Sequence, residues 1–223
     1  TIKPREIVAL VGPVGCGKTT LAKALGRMVE VEDGTLFLDD YDVTDLKLKD
    51  LRSNIALVPQ EGYLFTETLS DNIRYGNPEA SIGEVKESAY EAKMLEDIKG
   101  FPDGLETLVG ERGITLSGGQ RQRTALSRAL LVNSKIIVLD DALASVDNKT
   151  ASAILQTIKK QFNKTVLMIS HQLSAAAACD RILVMNNGKI VQEGTHQNLI
   201  KTNGLYKSMW DREKAKEQIQ SEN

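Results

Sequence analysis

Short, uninterrupted apolar runs mark the chain at residues 7–11, 55–58, 136–139 and 166–169. Runs of this length without polar alternation are the pattern of strands buried on both faces, as in a parallel sheet. Helical stretches separate them, starting with residues 18–28, and this alternation predicts an α/β fold with a parallel sheet. From 68 to 132 the apolar spacing turns helical with no strand-like run, which predicts a helical lobe inserted between two strands. Residues 181–185 and 189–192 flank Asn186-Asn187-Gly188, a hairpin signal. The last stretch, 211–223, is nearly all charged or polar and reads as a solvated helix that frays. The predicted organisation is a sheet core in two parts, 1–67 and 134–223, with the helical lobe 68–133 between them. No internal repeat interrupts this plan.

Composition narrows the class. With 223 residues, 41% hydrophobic and 26% charged, the chain is long enough for one sizeable core and has a globular balance. The net charge of -2 leaves no basic field to hold nucleic acid. Arg121, Arg123 and Arg128 form a basic helix face, expected to pair with acidic residues elsewhere. The two cysteines, Cys16 and Cys179, lie far apart in unrelated contexts, so a reducing, cytosolic compartment is expected. No apolar stretch approaches the ~20 residues that span a bilayer, and no signal peptide is visible. The chain opens Thr1-Ile2-Lys3-Pro4-Arg5-Glu6 and enters a strand almost at once, which reads as a piece cut from something longer.

Two segments carry chemistry. Gly12-Pro13-Val14-Gly15-Cys16-Gly17-Lys18-Thr19, with Thr20 following, fits G-x-x-x-x-G-K-[ST] between a buried strand and a helix. Its glycines let backbone N–H groups curl around a β-phosphate, and the helix opening near Lys18 aims its positive end at the same anion. Lys18 is the cation for the β- and γ-phosphates, and the Thr19 hydroxyl is a Mg²⁺ ligand. ATP and Mg²⁺ are therefore the expected cofactors. The second segment is Leu116-Ser117-Gly118-Gly119-Gln120. Ser117 and Gln120 make a capping box for the helix that follows, and the two glycines leave N–H groups open to an outside phosphate. Two phosphate sites on one chain, with one nucleotide between them, suggest two chains facing each other.

Leu116 to Gln120, downstream of such a phosphate loop, resembles the signature motif of the ATP-binding cassette (ABC) family, and the resemblance runs over essentially the whole chain. It implies a P-loop NTPase, RecA-like core with an inserted helical signature lobe and a C-terminal hairpin plus helices. It also implies roles. Gln60 resembles the Q-loop glutamine that touches Mg²⁺ and the attacking water, and residues 136–140 resemble the Walker B strand, with Asp140 holding Mg²⁺ through water. Ala144-Ser145-Val146-Asp147 resembles the D-loop at the dimer interface, although Asp147 also reads as a helix N-cap. His171, after the 166–170 strand, resembles the switch histidine at the γ-phosphate. The signature would act in trans, on the nucleotide of a second cassette arranged head to tail.

The subtype is similar to an exporter. Phe65-x-x-Thr68-Leu69-x-x-Asn72-Ile73, then Val109-Gly110-Glu111-Arg112-Gly113 (similar to the X-loop that meets coupling helices), and finally Glu193-Gly194-Thr195-His196 carry that likeness. The resemblance implies a membrane domain N-terminal in the same polypeptide, at the cytoplasmic face of the plasma (inner) membrane, and ATP hydrolysis that powers export.

Three departures stand out. The residue after Asp140 is normally Glu, the general base; here it is Asp141, one methylene shorter. With an intact signature, this resembles the degenerate-site subunit of bacterial heterodimeric multidrug-type half-transporters. A homodimer in which Asp141 is a slow base, a soluble ABC ATPase acting on nucleic acid or ribosomes, and a module that binds ATP without turning it over are the alternatives. Arg5 stands where the family has glycine. The aromatic A-loop residue that stacks on adenine has no counterpart before the phosphate loop. Cys16, beside Lys18 at a helix N-terminus, is expected to be an exposed, activated thiol, and Cys179 a buried, inert one.

Overall fold

The computed structural model describes residues 1–110, 114–159 and 163–221. Its main sheet has six strands in the order β4-β5-β6-β1-β7-β8. They are β1 (Ile7–Val11), β4 (Ile55–Val58), β5 (Ile136–Asp140), β6 (Thr165–Ile169), β7 (Arg181–Asn186) and β8 (Lys189–Gly194). The strands from β4 to β7 run parallel, and β8 returns antiparallel from β7 through the predicted Asn187-Gly188 turn. Asn187 and Gly188 both have positive φ, 47° and 76°, as a tight hairpin turn of this hand requires. A two-stranded ribbon, β2 (Phe37–Leu38) with β3 (Tyr41–Asp42), stands apart from the main sheet.

Strands β1, β4, β5 and β6 are largely apolar because both faces are covered. Ile7, Ala9 and Val11 of β1 share one core with Ile137, Leu139, Val166 and Met168, whereas Val8 and Leu10 share the other with Val138, Leu167 and Ile169. The period-2 alternation sorts each strand's side chains between two packed layers, both buried. On the second face lie α1 (Lys18–Leu25) and α2 (Leu48–Asn54), which contribute Ala22 and Leu51. On the first lie α3 (Leu69–Arg74), α4 (Ile82–Glu91), α5 (Leu95–Gly100), a 3₁₀ turn (Gly104–Glu106) and α6 (Gly118–Leu131). α7 (Asn148–Thr157), α8 (Leu173–Ala176), α9 (His196–Leu199) and α10 (Leu205–Ser221) complete the chain.

The four strand expectations therefore hold to within a residue or so, and the region 68–132 is helical apart from isolated bridges at Thr68–Leu108 and Val109–Ile114. The polar C-terminal helix begins earlier than its composition suggested. Its first turns dock: Tyr206 is fully buried, and Met209 and Trp210 pack on the same core. The basic face of α6 also resolves differently. Arg123 pairs with Asp97 at 2.7 Å, but Arg121 donates to the Leu116 carbonyl, and Arg128 donates to the Asn72 and Tyr63 carbonyls while lying over the Phe65 and Tyr75 rings. Arg5 has φ 65°, so the backbone keeps the left-handed conformation that glycine adopts freely, now carried by a larger residue. Glu111, Arg112 and Gly113 of the X-loop-like segment lie outside the described residues.

Candidate nucleotide site

The carboxyl ends of three neighbouring strands, β5, β6 and β1, converge, which is where open α/β sheets place their ligands. β1 delivers the Gly12–Thr19 loop, β5 delivers Asp140 and Asp141, and β6 delivers His171. Gly12 has φ 156°, and a Cβ there would run into the Met185 carbonyl of β7 and meet Cys16 Sγ at 2.9 Å, so only glycine fits. Gly17, at φ 107°, caps α1 in the left-handed region with no side-chain hydrogen bond, leaving the first N–H groups of the helix to an external acceptor.

Lys18 is 5% exposed, and its Nζ donates to the Gly12 and Pro13 carbonyls at 2.9 Å each. The ammonium is thereby held inside the curl of the loop. Thr19 Oγ1 donates to Asp140 Oδ1 at 3.1 Å. A hydroxyl and a carboxylate oxygen converging beside the Gly12–Thr19 loop are hard donors of the kind Mg²⁺ takes. Burial raises the Asp140 carboxyl above the ordinary aspartate range, and the adjacent Asp141 adds to this, against the Thr19 hydrogen bond and the positive fields of Lys23 and His171. A divalent cation would offset that penalty and favour the ionised form.

Asp141 is buried and carries φ 52°, a strained conformation for a residue with a side chain. Its N–H donates to Ile169 O, and its Oδ1 accepts from the backbone N–H of His171 at 3.2 Å. The carboxylate thus ties β5 to the start of the turn that carries His171. The His171 ring is exposed, and its neighbour Gln172 donates through Nε2 to Ala144 O at 3.1 Å.

The signature lies on the other layer. Ser117 N-caps α6, its Oγ accepting from Gln120 N–H and its N–H donating to Gln120 Oε1 at 2.8 Å, so the predicted capping box is complete. Gly118 and Gly119 press on the D-loop of their own chain: a Cβ on Gly118 would meet Ser145 Oγ at 3.2 Å, and one on Gly119 would meet Ser145 O at 2.8 Å. Asp147 accepts from Thr150 N–H and caps α7, as its sequence position suggested. Gln60 and Tyr63 line an open cavity of about 550 Å³ together with Gly118, Arg121, Gln122 and Ser145.

The structure thus groups Gly12–Thr19 with Asp140, Asp141 and His171, and groups Gln60 with the signature and D-loop. α1 packs on β5 and β6, whereas α6 packs on α3 and α4, so the two helix N-termini belong to opposite layers of the sheet. Gln122 escaped the sequence reading. It is 7% exposed, accepts from Ser145 N–H at 2.9 Å, and reaches the Gln60 and Asp141 carbonyls at 3.4 and 3.5 Å. Its signal was a polar residue in helical phase with Ala125 and Leu126, on the apolar stripe of α6. The expected exposure of Cys16 is corrected: it is 6% exposed, its Sγ turned inward against Gly12 and 3.7 Å from Lys18 Nζ. Cys179 is buried, as expected, and burial pushes its thiol up to about 12.

A loop, carboxylate pair and signature helix in this arrangement define a cassette-type P-loop NTPase. A profile of the ABC transporter family matches residues 1–144. The chain is 40% identical over 99% of its length to the multidrug resistance-like ATP-binding protein MdlA of Buchnera aphidicola, covering 38% of that protein. It is 46% identical over 92% of its length to an ATP-dependent lipid A-core flippase of Chromobacterium violaceum, covering 35% of it. A solved bacterial Atm1-family ABC exporter with ATP bound superposes with TM-score 0.89 at 38% identity, over 95% of this chain and 37% of that one. The chain belongs to the ABC transporter family and is a nucleotide-binding domain of the exporter type. It spans little more than a third of the length of these relatives.

Proposed function

We propose that the chain binds and hydrolyses ATP to power export by a membrane transporter, as the degenerate-site half of a heterodimer. Gly12–Thr20 would cradle the phosphates, with Lys18 on the β- and γ-phosphates. Thr19 and Asp140 would hold Mg²⁺, which would neutralise charge on the phosphates, and Gln60, set apart from them beside Gln122 and Ser145, would join when the two groups come together. Asp141 and His171 would address the attacking water and the γ-phosphate. Residues 116–120 would serve the nucleotide of a second cassette, packed head to tail through the D-loop residues Ala144, Ser145 and Asp147. A membrane domain preceding Thr1 in the same polypeptide would set this module on the cytoplasmic face of the membrane, and the relatives' greater length supports that reading.

The observation that carries the paired arrangement is the layering: the signature N-terminus and the phosphate loop sit on opposite layers of one sheet. One γ-phosphate between two such termini then calls for two chains. The observation that favours a weakened own site is Asp141, whose short carboxylate is engaged with His171 N–H.

Site-resolved nucleotide trapping in the full-length transporter tests the proposal. Lys18→Ala should abolish nucleotide at this chain's own site, and Ser117→Ala should reduce it at the partner's. Loss confined to this chain's own site in both variants would overturn the head-to-tail reading. Purification of a homodimer with full activity would overturn the heterodimer.

A further inference from the structure

The signature helix is held by a residue outside its motif. Asp97, on α5, accepts from Gln120 Nε2 at its Oδ1 (3.1 Å) and from Arg123 Nη2 at its Oδ2 (2.7 Å). Both members of the Asp97–Arg123 pair are largely withdrawn from solvent, with side chains 20% and 15% exposed. Arg123 Nε is buried without a hydrogen-bond partner, so Asp97 is the acidic group that answers this guanidinium among the described residues. A pair this poorly solvated is costly to break from one side, because the remaining charge is left without its counter-ion.

What Asp97 does to Gln120 follows from hydrogen-bond inventory. The two ends of a glutamine amide are alike in shape, and only their partners decide which end points where. A carboxylate accepts and cannot donate, so it demands the NH₂ end. Oε1 is then left facing Ser117 N–H, which it accepts at 2.8 Å. With the amide reversed, NH₂ would face N–H and the box would open. Asp97 therefore selects the orientation in which the capping box closes. It also fixes Arg123, whose Nη1 lies close enough to Gly119 that a Cβ there would sit 3.4 Å from it.

We infer that Asp97 is a positioning residue for the signature: it acts through Gln120 and Arg123 to keep Ser117, Gly118 and Gly119 in the geometry that receives a phosphate. The inference rests on the proposed role of residues 116–120, and it locates control of that role in α5, two elements upstream in the helical lobe.

The test is steady-state ATP hydrolysis by the full-length transporter carrying Asp97→Asn, a near-isosteric change, with Asp97→Glu as a second variant that keeps the charge. Asp97→Asn should lower kcat about tenfold and leave KM for ATP within about twofold, since the signature acts in the closed, reacting state. Asp97→Glu should recover part of the loss. In a Ser117→Ala background, Asp97→Asn should change kcat less than about twofold, because both changes act on one device. An unchanged kcat for Asp97→Asn, where Ser117→Ala is impaired, would overturn the inference and spare the proposed signature. An equal drop in both backgrounds would mark Asp97 as a general structural residue and overturn it also. If Ser117→Ala alone keeps full turnover, the signature role fails and the inference falls with it.

Discussion

Asp141→Glu probes the reaction most directly. Asp141 sits at φ 52° at the end of β5, and its carboxylate is spent on the His171 N–H at 3.2 Å. One more methylene carries the carboxylate outward by about 1.3–1.5 Å, and a ~1 Å error in placement is worth about a hundredfold in rate. A hundredfold is about 2.7 kcal/mol of barrier, which bounds the gain from above. Two effects act against it. The longer side chain gives up the His171 hydrogen bond, a charged-acceptor bond worth about 1.5–3 kcal/mol, and it must fit a site where Asp141 is only 7% exposed. Both fall mainly on stability, because they are present before ATP binds. The backbone strain is unchanged, since either side chain bears the same positive φ. Turnover at this chain's own site, read in a transporter whose partner site is inactivated, should therefore rise about ten- to a hundredfold, while the melting temperature falls by a few degrees. Steady-state phosphate release with saturating Mg-ATP measures the first, and calorimetry the second. Unchanged or lower turnover from a folded variant would refute the argument that reach limits this site.

Gln122→Leu keeps the volume but leaves Ser145 N–H and the Gln60 carbonyl without their partner, while the Asp141 carbonyl keeps Ala144 N–H. It should cost about 1–3 kcal/mol in denaturant unfolding and lower ATP turnover as the D-loop loosens. Maleimide should label neither cysteine of the native protein at the rate seen in denaturant. Cys16 should react before Cys179, because burial holds the Cys179 thiol at about 12, and peptide mass spectrometry would read both. His196 lies 4.4 Å from the Trp210 ring and 2.8 Å from Tyr206 Oη, with burial first and Lys214 second lowering its pKa below the ordinary 6.5. The unfolded chain thus binds the proton more readily, so stability should fall as pH drops through about 6.5 toward the lower folded value. Trp210, the single tryptophan, reports this by fluorescence-monitored unfolding, and His196→Gln should remove the difference between pH 7.5 and 5.5.

The features legible in the sequence were those whose physics is local. Ile7–Val11 and Ile136–Asp140 are apolar on both faces because helices cover both, and that shows as an unbroken run. The phosphate loop and the Ser117–Gln120 box announce themselves because glycine and a cap are needed at fixed spacing. What stayed hidden depended on partners distant in sequence. The β2–β3 ribbon has only two residues per strand, too few for any period to register. Arg128 lies on a helix face expected to pair with acidic residues, but its place is set by Phe65 and Tyr75, more than fifty positions upstream. Cys16 was judged from its neighbours in the chain, where Lys18 argued for an exposed thiol; the fold instead turns its sulfur against Gly12, beneath β7. The docked start of α10 was legible after all, in the i, i+3, i+4 spacing of Tyr206, Met209 and Trp210, but the charged tail dominated its composition.

The same dependence on distant partners links the end of β5 to the start of α6. Gln122 hangs from α6 five residues after Ser117, and its amide holds Ser145 of the D-loop while touching the carbonyls of Gln60 and Asp141. From the opposite side, Gln172 holds Ala144, and the preceding His171 is held by Asp141. The D-loop is therefore gripped at two adjacent residues by two glutamines, one on the signature helix and one on the switch turn. The signature glycines close the gap further, since Gly118 and Gly119 leave no room for a side chain against Ser145. Packed interiors shift between discrete arrangements and do not stretch, so Ala144 and Ser145 are placed to move with the ends of β5 and β6. Ser145 in turn bears on the glycines at the start of α6. Three contacts within this chain thus join Asp141 and His171 to Gly118 and Gly119.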